Sequence, residues 1–100
     1  MNLQSVTKQL ESQKDTLQSF GLTRIGIFGS VSRKDALPSS DIDLLLDFDP
    51  AKKTYKNFLK STTLLESLFH QPVDVVTAQS LSPYIQPHIL KDISYVQISN

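Results

Sequence analysis

Asp41-Ile42-Asp43-Leu44-Leu45-Leu46-Asp47-Phe48-Asp49 is the stretch that decides the fold. Ile42, Leu44, Leu46 and Phe48 fall on one side of a two-residue repeat. Asp41, Asp43, Asp47 and Asp49 fall on the other, with Leu45 among them. This alternation reads as a β-strand with one face on a core. Side chains alternate faces along a strand, so Asp41 and Asp43 point the same way. Two unit charges about 4 Å apart, at an effective dielectric of about 20, repel by roughly 4 kcal/mol. A cation between them relieves that repulsion, so the pair is a candidate divalent-metal site. The other reading is a solvent-facing strand decorated with acid, and Asp47 and Asp49 on the same side favour it.

Ten residues separate Asp41 from Gly29-Ser30. The Gly-Ser pair follows a short β-run over residues 24–28 and precedes a short helix expected over 31–36. A strand-to-helix turn presents free backbone N–H groups to an anion, glycine lets a phosphate approach, and the Ser30 hydroxyl adds a donor. An ordinary turn explains the same two residues, and neither a Walker A sequence nor a dinucleotide fingerprint is present. On the other side, Asp74 interrupts a run of valines over 73–76 that reads as a further strand. A carboxylate there is costly unless paired, hydrogen-bonded or metal-bound. If its strand lies beside the first, Asp41, Asp43 and Asp74 converge, and two metal ions about 3.5–4 Å apart fit a phosphoryl- or nucleotidyl-transfer site. Alternatively, Asp74 faces water from an edge strand.

The rest of the chain supplies helices. Residues 3–19 place Leu3, Val6, Leu10 and Leu17 near helical spacing, with a gap at Lys14 and Gly21 just past the end. Pro38-Ser39-Ser40 is a loop, and Pro50 ends the acidic strand. Residues 54–69 read as a helix with Tyr55, Phe58, Leu59, Leu65, Leu68 and Phe69 as its core face. A last helix is expected over 84–91, with Pro87 tolerated only in its first turn. Tyr84, Ile85 and Ile89 are its core or partner contacts. Residues 94–98 form a short strand or an extended tail. Helix and strand alternate, which predicts an α/β (α+β) sheet with helices packed against it, in a single domain over residues 1–100.

Composition bounds the function. Ten basic and ten acidic residues cancel, so the chain has no basic footprint for stable nucleic-acid binding. It contains no cysteine, which excludes disulfides and thiolate chemistry. No apolar run reaches the roughly 20 residues of a bilayer span, and residues 1–15 do not look like a signal peptide. The reading is a soluble cytoplasmic protein with no membrane partner. Its small core leaves room for a protein partner or a second copy. Lys52, Lys56 and Lys60 recur every four residues, with Lys53 nearby: a solvated face, or a dock for an acidic partner or a phosphate. His70 and His88 are isolated and read as structural or surface residues.

The three elements together, F-G-S-x-x-R, S-D-I-D-L-L-L-D-F and P-V-D-V-V, resemble the DNA polymerase β-like nucleotidyltransferase superfamily, and within it the minimal nucleotidyltransferases. The resemblance implies that fold, with Gly29, Ser30 and Arg33 on the nucleotide's phosphates and Asp41, Asp43 and Asp74 binding Mg²⁺. It also implies that Asp74 helps activate the acceptor, with ATP as donor. Many members of the branch are antitoxins to HEPN ribonuclease toxins, and some transfer AMP from ATP to a toxin tyrosine. The implied function is therefore AMP transfer to a cognate HEPN toxin. Two positions differ from many relatives: Val31 replaces an arginine, and Lys34 replaces a glycine and offers a substitute phosphate contact. These differences motivate a second expectation, that the protein neutralises its partner by complex formation without catalysis. A third is nucleotidyl transfer to a small molecule.

Overall fold

A computed structural model describes residues 2–33 and 41–99. Four strands form one sheet in the order β3-β2-β1-β4, with β1 Leu22–Phe28, β2 Ile42–Phe48, β3 Val73–Thr77 and β4 Ser94–Gln97. Five α-helices accompany it among the described residues: α1 Leu3–Ser12, α2 Lys14–Ser19, α3 Gly29–Arg33, α4 Tyr55–Phe69 and α5 Gln86–Leu90. The sheet is mixed. β1 runs antiparallel to β2 and β4, whereas β2 and β3 are parallel and joined through α4. This is the expected α/β architecture, and residues 94–98 include a true strand.

The alternation in β2 sorts the molecule into two faces. Ile42, Leu44, Leu46 and Phe48 are each at most 1% exposed. They pack with Ile25 and Ile27 of β1, Val6 and Leu10 of α1, Leu17 of α2, and Leu65 and Phe69 of α4. Burying each such side chain contributes about 1.5–3 kcal/mol, which holds the sheet and these helices together. The opposite face carries the acids. Leu45, placed among them by the repeat, is also buried. It shares a row with Gly26 and Val76, and Ile93 and the Tyr95 ring close over Gly26.

Several elements differ from expectation. The first helix is two, broken at Gln13. Lys14 stands where the helical repeat calls for an apolar side chain, so that turn has little to bury. Gly21 follows α2 with positive φ, as a C-terminal glycine should. The short helix after Phe28 begins at Gly29, and its described part ends at Arg33. The remainder of 31–36, Lys34 and the 38–40 loop lie outside the described residues. Lys52 ends a 3₁₀ turn (Pro50–Lys52) before α4 begins, so it is not on the helix with Lys56 and Lys60. Tyr55 and Leu59 are exposed, not core, and so are Tyr84 and Ile85. α5 is shorter than expected and starts at Gln86, which puts Pro87 in its first turn. Among the described residues, no helix is long and apolar enough to cross a membrane.

Candidate active site

The register of the sheet places the acids. Phe28, Asp43 and Asp74 lie in one row across β1, β2 and β3. Asp74 therefore stands beside Asp43 because β3 is parallel to β2 and Val73 pairs with Ile42. The two carboxyl groups are close enough to act on one another. Partial burial, the Asp74 charge and then the Asp41 charge push the Asp43 carboxyl above its ordinary value, and Arg33 opposes them. Asp41 precedes the strand and is exposed, as is Asp74 on its edge strand, while Asp43 is half-buried.

The other two acids of the repeat have structural partners. Asp47 Oδ2 accepts from Arg24 Nε at 2.9 Å, and the Arg24 guanidinium lies 3.9 Å from the centre of the Tyr95 ring. Asp49 Oδ1 accepts the Ala51 N–H at 3.0 Å and caps the 3₁₀ turn. An acid face made for solubility would treat the four alike. Here two are paired and the other two crowd together with Asp74.

Gly29 is tied to this row in a way the sequence alone did not reveal. Its φ is +73°, a region L side chains rarely adopt. A Cβ there would collide with Asp43 Oδ2 and lie 2.9 Å from Cγ. The expected phosphate approach does not by itself explain this glycine, because it is already needed to let β1 turn against the Asp43 carboxylate. Ser30 follows it, half-buried, and Arg33 ends the described part of α3, exposed. Val31 is buried in the core, which accounts for an apolar residue at that position. Ser32 Oγ donates to the Asp92 carbonyl and fastens α3 to the segment after α5. Nothing in the sequence marked that contact or the Arg24–Asp47–Tyr95 group, because each joins residues far apart in the chain.

Among the described residues, no group of three His, Cys, Asp or Glu side chains is arranged to hold an ion by itself. The donor chemistry nonetheless suits Mg²⁺, which takes one or two carboxylates and completes its shell with water and substrate phosphate. The mutual repulsion at Asp43 is what such an ion would relieve.

Residues 8–96 match the nucleotidyltransferase domain family. The chain belongs to that family. This nucleotidyltransferase is 34% identical over 97 residues to the protein adenylyltransferase MntA of Thermococcus cleftensis, a match covering 96% of this chain and 97% of that one. A candidate minimal nucleotidyltransferase of known structure has a TM-score of 0.70 to it at 28% identity, over 94% of this chain and 95% of the other. The complex of a tri-AMPylated HEPN toxin from Shewanella oneidensis with its MNT antitoxin contains a chain of the same fold. Its TM-score is 0.56 at 18% identity, over 85% of this chain and 69% of the other. The expected minimal branch of the nucleotidyltransferases is thereby borne out.

Proposed function

We propose that this nucleotidyltransferase is an antitoxin that moves AMP from ATP onto a tyrosine hydroxyl of a cognate HEPN ribonuclease toxin in the cytoplasm. The observation that carries the reading is the near end-to-end match to a protein adenylyltransferase. The AMPylated HEPN toxin held by an antitoxin of the same fold adds the class of acceptor. The Asp43–Asp74 row adds the chemistry.

In the proposed reaction the acceptor oxygen attacks the α-phosphorus in line, the O–P bond forms, and pyrophosphate departs. Asp74, exposed beside Asp43, takes the acceptor's proton. Asp43 is set beside Asp74 by the strand register and backed by the close approach of Gly29, so its carboxylate is preorganised. Ser30 and Arg33 orient the phosphates from α3. Asp41, Asp43 and Asp74 would hold Mg²⁺, two ions being the number expected for this class of chemistry, and the metal would supply positive charge against the triphosphate.

Labelled ATP, Mg²⁺ and the toxin test the reading. The expected result is label on the toxin, lost in the Asp41→Ala, Asp43→Ala double variant. Transfer that survives the double substitution, or no transfer by the unaltered protein, overturns it. Val31 supports a second reading, since it is buried in the core and offers no charge to a phosphate: the chain would silence its partner by binding alone. In that case an Asp41, Asp43, Asp74 triple variant protects cells fully. Under catalytic neutralisation it does not.

A further inference from the structure

β3 is an edge strand that carries Asp74. Among the described residues it pairs with β2 alone. Edge strands display unpaired backbone groups and are usually short, charged or covered. This one is short, and Val73, Val75 and Val76 are half-exposed along it. Beside it, a groove of about 390 Å³ opens between the last three residues of β3 and the first turn of α4, with Phe48 and Phe58 among its walls. Tyr55 stands at its rim, 76% exposed. Its aromatic ring sits at a core-like position of the helical repeat yet stays largely exposed among the described residues.

The α4 side of the groove is basic: Lys53 lines it, and Lys56 follows Tyr55 in the sequence. No acidic residue occurs between Asp49 and Glu66. Among the described residues neither Lys53 nor Lys56 forms an ion pair. The free strand edge belongs to β3, the element that holds Asp74, and the groove joins that strand to Lys53 and the start of α4. Val76 is two residues along β3 from Asp74, about 7 Å at the rise of a strand.

We infer that this groove docks an extended, acidic segment of the acceptor protein, which adds to the free edge of β3 and thereby delivers the acceptor hydroxyl to Asp74. Backbone pairing with the edge supplies affinity in an extended mode. An apolar or aromatic side chain fills the space beneath Tyr55, and carboxylates face Lys53 and Lys56. The inference rests on the protein-acceptor reading above and names the surface that such an acceptor uses.

The test separates docking from chemistry. Binding of the purified acceptor protein to the full chain is measured by calorimetry, and transfer kinetics by labelled ATP. The variants are Tyr55→Ala and the double change Lys53→Glu, Lys56→Glu, all at exposed positions. The expected result is an acceptor Kd and KM raised at least tenfold, with kcat at saturating acceptor and ATP binding unchanged. Unchanged ATP binding shows that the variants are folded, and Lys53→Arg with Lys56→Arg retains wild-type affinity. Acceptor Kd and KM within twofold of wild type in both variants would overturn the docking surface while leaving AMP transfer intact. Wild-type binding without transfer would instead overturn the transfer reading, and the affinities of the variants would still decide the surface. A wild-type chain that does not bind the acceptor overturns the inference outright.

Discussion

Asp43 is held beside Asp74 and Asp41, partly out of water, with its carboxyl pushed above the ordinary value of 3.8. The sign of the linkage follows. A carboxyl whose folded value is raised contributes stability that is fully present below the unfolded value and lost as pH rises through the folded one. Ionisation of Asp43 as pH rises therefore destabilises the free protein. Without divalent cation, Asp43→Asn should melt at a higher temperature than wild type at neutral pH. The gap should close in acid, as thermal melts in a chelator would show, and transfer activity should be absent. A lower melting temperature at neutral pH would contradict the account. Gly29 makes a second prediction at this scale. Gly29→Ala must carry a Cβ at positive φ and push against Asp43. It should cost about 1–2 kcal/mol of stability and about 100-fold in transfer rate, the usual consequence of a misplacement near 1 Å. Denaturant midpoints and single-turnover rates check both.

β2 was the most legible element, because a two-residue repeat with four buried members admits one orientation. It also showed which acids share a face, but not which had partners. Arg24 and Asp47 meet only once β1 and β2 are in register. The helices were less legible. Tyr55 and Leu59 have core-like spacing but lie exposed on α4, since an apolar residue does not say whether its partner is in the same chain. The end of α4 was placed correctly, although its cause was not visible. His70 closes the helix in the left-handed conformation, at φ +56°. L residues other than glycine are strained there, so His70→Gly should stabilise the protein by about 1 kcal/mol, read as a higher urea midpoint with no change in transfer. An unchanged or lower midpoint would show that the side chain offsets the strain.

At the scale of the molecule, the sheet separates structure from chemistry. One face carries the core with α1, α2 and α4, and the other carries the acids at the row where β1 turns into α3. The parallel β2–β3 pair was the step that sequence could not guarantee. Asp74 is about thirty residues from Asp43, and only a crossover through α4 in this register makes them neighbours. The family resemblance implied it, and the register gives the physical reason. The central claim is that this acid row is a nucleotidyl-transfer centre acting on a protein. It is tested most directly by offering the partner toxin ATP labelled at either the α- or the γ-phosphate, with wild type and with an Asp43→Asn, Asp74→Asn variant. Wild type should transfer the α-label and not the γ-label, and the variant should transfer neither. Transfer of the γ-label, or of the α-label by the variant, would contradict it.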